Sequence, residues 1–322
     1  MTKSVESIVV TGMGLCTPLG GHPWREIQSG QSAVKVQPNL IDFPMNKAAV
    51  IDAIDLRPWL KRRKDKKLMA RPAQLALAAA GPALTGWTDD RSNIGIYLGV
   101  GREPGDDGES EPALVASQVD GRLSVSAVAG RCRDLYPPLL PLKTLPNMAL
   151  AHICIHLGVQ GENGAWCGGS AAGLTALRAG MWTVLEGRAE AALISAADTW
   201  VSQGAVRDLH RMAAGTLPDV PGEAGVALLI EKESAAVGRG AQIFGRLSFD
   251  GSVESSDKPF HRTSLGDCHA ADGLLTVALS ISSRKSRCWV TAMEADQPSV
   301  GVMVEVDDDH ACYAPDSGGP ST

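Results

Sequence analysis

The chain has 322 residues, of which 44% are hydrophobic and 20% charged, a composition typical of a globular protein with a substantial core. Its formal net charge is −6, which argues against a nucleic-acid-binding function. The seven cysteines are scattered and form no Cys-x-x-Cys pair, so we expect neither a disulfide framework nor a zinc site, and reduced thiols fit a cytoplasmic protein. No segment has the pattern of a signal peptide or the length of a membrane-spanning helix, so no membrane association is expected.

The first half of the chain alternates predicted strands and helices. Residues 8–14 are apolar up to two glycines and predict a buried strand that runs into a glycine turn. A basic run at 61–67 precedes an Ala- and Leu-rich stretch, 69–84, that predicts a packed helix. Residues 101–121 begin as a polar, glycine-rich loop. Further buried strands are predicted at 95–100, 191–197 and 225–230, and an alternating strand at 242–250.

The stretch from 166 to 186 is the most informative. Gly168 and Gly169 break the chain, and apolar residues at 174, 177, 181, 184 and 185 then follow helical spacing. Residues 266–283 repeat this plan with a glycine turn and a helix, and two closing strands are predicted at 288–293 and 300–306. SAAGL at 170 and HAADGLL at 269 echo each other, so we expect a layered α/β fold built from two related halves.

We predict a single domain over residues 1–306, with halves at about 1–240 and 241–306. The tail, residues 307–322, is acidic and then rich in Pro, Gly and Ser, a composition that predicts disorder.

Four segments, in order along the chain, resemble β-ketoacyl-acyl carrier protein synthases, which belong to the thiolase superfamily. They are VVTGMGLCTPLG at 9–20, LPNMALAHICIHLGVQGEN at 145–163, CGGSAAGLTALRAGMWTVLEGRAEAALISAADT at 167–199 and PGEAGVALLIE at 221–231. The resemblance implies a thiolase-like layered αβαβα fold with two related halves, the second of them truncated in this chain.

The resemblance also implies which residues should do the chemistry. Such synthases use a cysteine whose thiolate is favoured by a helix N-terminus, two histidines that stabilise an enolate, and an ordering lysine. Here Ser170 stands in the nucleophile turn, and Arg262 and Asp267 replace the lysine and histidine of a Lys-Ser-x-x-Gly-His pattern. The segment for the first histidine, between 251 and 259, is almost entirely missing, and residues 294–299 replace a glycine-rich loop. The implied site at Ser170, Arg262 and Asp267 is therefore degenerate, and we expect it to be inactive.

Four residues near this site have more than one interpretation. Ser170 is either an acyl-accepting serine, which needs a positioned base, or a helix N-cap. Cys167 is either the nucleophile under a shifted alignment or a buried cysteine that packs as a small hydrophobe. His261 and His269 flank the degenerate motif and are either substitute bases or residues of a solvated loop and a helix start.

Two further features lie outside the implied site. His152 and His156 are one helical turn apart, but no third ligand lies beside them, so a structural role is favoured over a metal site. The basic run at 61–67 is either a solvated face or a docking surface for an acidic carrier protein.

These observations favour a catalytically degenerate subunit of the chain-length-factor type, which partners an active ketosynthase and an acyl carrier protein in type II polyketide or fatty-acid-like chain elongation. The alternative is a stand-alone acyltransferase or hydrolase that uses Ser170. No cofactor and no metal are expected.

The sequence also makes two structural predictions. We expect the strand at 191–197 and the segment 145–165 to form a subunit interface in which one sheet continues across the dimer. We expect Arg262 and Asp267 to pair, because a guanidinium and a carboxylate fit each other closely, and Asp267→Ala to lower stability if the site is buried.

Overall fold

Twelve strands lie in the residues described by the computed structural model, which are 6–102, 108–213, 219–249, 259–284, 286–292 and 300–306. They are β1 (Ile8–Cys16), β2 (Val34–Val36), β3 (Lys47–Ala49), β4 (Ile94–Val100), β5 (Gln118–Val119), β6 (Arg122–Leu123), β7 (Asn163–Cys167), β8 (Ala191–Thr199), β9 (Glu223–Lys232), β10 (Gly245–Ser248), β11 (Arg287–Ala292) and β12 (Val300–Glu305). Eight of them form one mixed sheet in the order β11-β12-β10-β1-β9-β8-β4-β7, and β2-β3 and β5-β6 form separate two-stranded pairs.

The helices cover both faces of the large sheet. Those in the described residues are α1 (Trp24–Gln28), α2 (Arg71–Ala83), α3 (Glu111–Ala116), α4 (Val125–Ala127), α5 (Arg133–Leu135), α6 (Leu140–Lys143), α7 (Met148–Leu157), α8 (Ala172–Leu185), α9 (Gln203–Met212), α10 (Glu233–Gly238), α11 (Arg262–Leu265) and α12 (Asp272–Ser282). Within this part of the chain, no helix is both long and apolar enough to cross a bilayer.

Three expectations fall outside the described residues. The predicted disordered tail, the replaced loop at 294–299 and nearly all of the segment at 251–259 have no described structure.

The first strand is longer than its sequence indicates. β1 continues to Cys16 with a register shift between Val10 and Gly12, whereas a turn was expected at the glycines. The glycines instead allow α2 to lie directly on the strand, because a Cβ atom on Gly12 or Gly14 would stand only 1.9 or 2.0 Å from a helix carbonyl oxygen. The glycines at this position therefore serve close helix–strand packing.

Two helix layers enclose the central strands. On one face, α2 and α7 pack side chains such as Leu75 and Ile153 against strand residues such as Leu193. On the other face, α8 and α12 share a core with strands from β4 to β12, so the sheet wraps around this helix pair. The hydrophobic effect of burying both faces accounts for the near-continuous apolar sequences of β4, β8 and β9.

The repeated motifs of the two halves meet in the core. A Cβ on Gly173 of α8 would lie 2.9 Å from the carbonyl oxygen of Ala270, and a Cβ on Gly273 of α12 would lie 2.7 Å from Leu174. The two helix starts therefore pack against each other, and the relation between SAAGL and HAADGLL stays a prediction.

The predicted interface strand is wrong. Residues 191–197 belong to β8, which pairs in parallel with β4 and antiparallel with β9, so neither of its edges is open to a partner. A strand this rich in apolar residues is buried on both faces, and its sequence cannot distinguish an edge from the centre of a sheet. The strand at the end of the sheet is β7, which pairs with β4 alone among the described strands.

Candidate functional site

Ser170 lies in the turn that links β7 to α8. The N-cap residue of α8 is Ala171, which makes no side-chain capping bond, so the expectation that Ser170 caps the helix is wrong. The carbonyl oxygen of Ser170 lies 3.2 Å from the position of a Cβ on Gly273. This contact brings the turn against the start of α12, just after the segment that holds Arg262 and Asp267.

Arg262 is surrounded by carboxylates. Its guanidinium lies 2.8 Å from Asp267, 2.9 Å from Asp219 and 2.5 Å from Asp272. The ion pair expected between Arg262 and Asp267 is therefore present. Asp272 is bound more extensively, because Nε of Arg262 also donates to its carboxylate at 2.8 Å. The guanidinium of Arg262 is therefore shared by three carboxylates, and its N–H donors are used within this network.

Asp272 is the centre of this network, and it is almost fully buried. It accepts hydrogen bonds from His261 Nε2 at 3.0 Å and from the backbone N–H of Cys268 at 3.0 Å, in addition to Arg262. Burial favours a raised pKa, but the hydrogen bond and charge of His261 and the charge of Arg262 outweigh it and lower the pKa of Asp272 to about 2. His261 is 0% exposed, so the expectation of a solvated loop histidine is wrong.

Asp267 has the opposite electrostatic balance. Burial and the negative charge of Asp272 raise its pKa to about 6, against the opposing effects of His269 and Arg262. Its Oδ1 accepts the backbone N–H of His269 at 2.9 Å. The ring of His269 stacks on Trp200 with centroids 4.4 Å apart, which agrees with a role at the helix start.

A further buried carboxylate, Asp198, was missed by the sequence analysis. It lies in β8 and accepts hydrogen bonds from Thr199 N at 2.8 Å, Trp200 Nε1 at 3.0 Å and Ala270 N at 3.2 Å. Burial raises its pKa to about 7 despite these donors. The available signal was a single acidic residue near the end of an otherwise small and apolar strand.

The cysteines near the site differ in environment. Cys167 is exposed on β7, and its thiol lies 3.4 Å from the carbonyl oxygen of Gly101, so the expectation of a buried Cys167 is wrong. Cys268 is fully buried, and burial raises the pKa of its thiol well above the ordinary value. Among the residues whose positions are described, no group of three or more His, Cys, Asp or Glu side chains is arranged to hold a metal ion.

The basic run forms one wall of a wide groove. The groove has a volume of about 1150 Å³ and an apolar floor that includes Leu56, Leu60 and Met69. Its cationic lining residues are Arg57, Arg63, Lys64, Lys66, Lys67 and Lys143, against Asp55 and Glu109. The lysines and arginines of the run are exposed, as expected of a solvated face, but Asp65 among them is buried.

A second segment has many exposed apolar side chains. We define the apolar cap as residues 114–145, where valine and leucine side chains such as Val125 and Leu123 are 87% and 76% exposed. Its exposed apolar residues are Leu114, Val115, Val119, Leu123, Val125, Val128, Leu135, Tyr136, Leu139, Leu142 and Leu145. Leu145 lines a small cavity with Val100, the last residue of β4, the strand that pairs with β7.

Comparison with known proteins gives the family context of this geometry. A model of the β-ketoacyl synthase N-terminal domain matches residues 5–235. Similar solved structures include the ishigamide ketosynthase/chain length factor, at 16% identity and a TM-score of 0.75, covering 94% of this chain and 99% of that chain. A β-ketoacyl synthase from Burkholderia phymatum matches at 14% identity and a TM-score of 0.72, covering 94% of this chain and 100% of that one.

A third similar structure is a type II PKS acyl-carrier protein in complex with its ketosynthase bound to the hexaketide, at 14% identity and a TM-score of 0.72, covering 94% of this chain and 100% of that chain. At such identities the likeness establishes the fold, which is the thiolase-like arrangement of a mixed sheet and helices that was expected. The truncation of the second half is not confirmed and stays a prediction.

Proposed function

The chain belongs to the β-ketoacyl synthase family, and we propose that it is a non-catalytic subunit of the chain-length-factor type, which pairs with an active ketosynthase in type II polyketide or fatty-acid-like chain elongation. The observation that carries this proposal is the network around Arg262. At the positions where the family resemblance implies a lysine and a histidine, this chain has a guanidinium and a carboxylate that bind each other at 2.8 Å.

The electrostatics of the network oppose the family reaction. Decarboxylation generates an enolate that needs hydrogen-bond donors or positive charge nearby. Asp267, Asp219 and Asp272 instead surround Arg262, the only guanidinium in the network, with three carboxylates. Ser170 carries a hydroxyl in the nucleophile turn, and a hydroxyl needs an adjacent general base to react as a cysteine thiolate does. We infer that the pocket has become structural.

The exposed surfaces support a partner. Monomeric proteins rarely leave large contiguous apolar patches in water, and the apolar cap has eleven large apolar side chains exposed within 32 residues of chain. The cap ends at a cavity lined by Val100 of β4, and β4 pairs with β7, the terminal strand of the eight-stranded sheet. We propose that an active ketosynthase covers the cap and adds its own strand to β7, which would bury both features together.

The basic groove supports an acyl carrier protein as the second partner. Six cationic residues line the groove beside two acidic ones, which gives a positive surface on a chain of net charge −6. Positive patches of this kind accelerate association with acidic partners and fix their orientation. The proposal therefore assigns separate faces to the two partners.

Co-expression with an active ketosynthase is the decisive test. We expect a stable complex that elongates carrier-bound acyl chains, while the isolated chain neither condenses acetyl- and malonyl-carrier protein nor gains mass after incubation with acyl-carrier protein. Ser170→Ala should leave the activity of the complex unchanged. A stable acyl adduct mapped to Ser170, or condensation by the isolated parent chain, would refute the proposal; the adduct would establish the serine-dependent acyltransferase or hydrolase in its place.

A further inference from the structure

Two buried histidines lie under the basic segment, which we define as residues 61–68. His152 and His156 project from one side of α7, are 5% and 6% exposed, and stack with parallel rings whose centroids are 5.8 Å apart. Each contacts one end of the basic segment. His152 Nε2 lies 3.2 Å from the carbonyl oxygen of Leu68, and the backbone N–H of Lys61 donates to His156 Nδ1 at 3.3 Å.

These contacts define the protonation state that holds the segment. A carbonyl oxygen only accepts, so Nε2 of His152 must carry the proton that it donates to Leu68. An N–H only donates, so Nδ1 of His156 must be unprotonated to receive Lys61. The other ring nitrogens, Nδ1 of His152 and Nε2 of His156, are buried and make no hydrogen bond within the described structure. His156 is therefore neutral at Nδ1 when the segment is in place, whereas His152 can donate to Leu68 from Nε2 in either protonation state.

The charged groups around the pair act in both directions, because Lys61 and Arg62 lower the pKa of His156 while Asp65 raises the pKa of both histidines. The basic segment contributes Lys61 and Arg62 on the cationic side and the buried Asp65 on the anionic side, and Asp65 is itself bound to Arg62 at 3.1 Å. From the neighbouring α2, Arg71 is turned towards Glu223 at 2.6 Å. Near the end of α7, the guanidinium of Arg91 binds the carbonyl oxygen of Leu157 at 2.9 Å.

Protonation would place a positive charge on a ring that is almost fully buried, where water does not stabilise it. Burial lowers the pKa of both histidines, and for His156 the charge on His152 lowers it further. A second proton on His156 would occupy Nδ1 and remove the acceptor for Lys61. Two imidazolium rings at stacking distance would also repel each other and the neighbouring cations.

We propose that His152 and His156 are a pH-sensitive latch on the basic segment. Both are neutral above the ordinary histidine pKa of about 6.5, and the segment is then held against α7. As the pH falls below that value, the released segment binds protons more readily than the held one, so linkage shifts the equilibrium towards release. The latch is a property of the segment alone, and only its consequence for carrier-protein binding rests on the proposed function.

Hydrogen exchange of the full-length chain tests the latch. Amide protection in residues 62–68 is measured at pH 7.5 and pH 5.5, corrected for intrinsic exchange rates and compared with that of α8. We expect the basic segment to lose about tenfold more protection than α8 at pH 5.5, since one pKa unit corresponds to a factor of ten. An equal change in the two regions would overturn the proposal.

Isosteric variants provide the matched comparison. His152→Gln retains an amide donor near Nε2 and His156→Asn retains an acceptor near Nδ1, and neither side chain titrates. The double variant should hold the segment equally at both pH values, whereas His22→Gln, outside the contact, should behave as the parent does. A double variant that still loses protection at pH 5.5 would refute the latch.

An NMR titration of the imidazoles gives a readout that does not depend on the folding of variants. We expect His152 and His156 to titrate below about 6.5 and the Lys61 amide resonance to move in the same step. A His156 that titrates at or above its ordinary pKa would overturn the proposal. If the latch opens as expected but an acyl carrier protein fails to bind at pH 7.5, the latch stands and the docking function of the groove fails.

Discussion

The network around Arg262 and the apolar cap differ in which side chains they bury: the network buries charged groups, whereas the cap exposes apolar ones. In the network, Arg262 is bound to three carboxylates, and Asp272, which it binds at 2.5 Å, is only 1% exposed. In the cap, side chains suited to a core face outward, and Val125 is 87% exposed. A satisfied polar cluster stabilises the fold, whereas an uncovered apolar surface favours association, which is why we propose a partner for the cap.

The largest effect is expected at the centre of the network. Asp272→Ala should lower the free energy of unfolding by about 3–5 kcal/mol, because it leaves the buried His261 and Arg262 without their main acceptor. Urea unfolding at pH 7 measures this change. Asp219→Ala is the matched control, since its side chain is 41% exposed and touches the same guanidinium; it should cost about 1 kcal/mol or less. Equal losses for the two variants would show that the network is not centred on Asp272.

The apolar cap should give a large effect on binding and almost none on folding. We expect Leu123→Asp with Val125→Asp to weaken the complex with the active ketosynthase by about 100-fold, which corresponds to about 2.7 kcal/mol. The free energy of unfolding of the isolated chain should change by about 0.5 kcal/mol or less. Val237→Asp, an exposed apolar position outside the cap, should leave binding unchanged. Unaltered affinity in the double variant, measured by titration calorimetry, would place the partner elsewhere.

Asp267→Ala should lower the free energy of unfolding by less than Asp272→Ala does, by about 1–2 kcal/mol. The substitution removes one ion pair of Arg262, but it also removes the repulsion between Asp267 and Asp272. The pKa of Asp267 is raised to about 6 in the fold, so its ionisation costs stability progressively as the pH rises from about 4 to 6. The variant should therefore be less destabilised, relative to the parent, at pH 7 than at pH 4. Denaturant unfolding at both pH values checks the sign, and the reverse order would mean that the Arg262 pair dominates.

The basic groove should give the smallest effect. Lys64→Glu with Lys67→Glu should lower the affinity for an acidic acyl carrier protein by about three- to tenfold at low salt, because exposed charge pairs each contribute about 1 kcal/mol or less. Lys35→Glu with Lys47→Glu makes the same charge change on two exposed residues away from the groove and should have no effect. Fluorescence anisotropy at two salt concentrations provides the measurement. An affinity that is insensitive to both salt and the double substitution would remove the groove from the proposed interface.

Secondary structure was largely predictable where the residue pattern is unambiguous. The helix expected at 69–84 is Arg71–Ala83, and the one expected at 170–186 is Ala172–Leu185. Helical spacing of apolar residues reports which face is buried, and this information is local. The strand end at Gly14 was misjudged, because glycine indicates a turn and a close helix–strand contact equally well.

The sequence also identified part of the network. The pairing of Arg262 with Asp267 followed from opposite charges five residues apart around a glycine. Asp198 and the inward position of His261 were not predictable, because their partners come from distant segments. The hydrogen bond from Ala270 to Asp198, for example, joins residues 72 positions apart.

The sequence by itself determined the family, the order of the main helices and strands, and the residue types at positions 170, 262 and 267, because each is encoded in local pattern and motif. Only the tertiary structure decided that β8 lies inside the sheet and β7 at its end, and that the cap faces outward. Strand order depends on which backbone groups find partners across the chain, and exposure depends on what remains to cover a side chain after folding. Both are set by contacts between residues far apart in sequence, which no local pattern records.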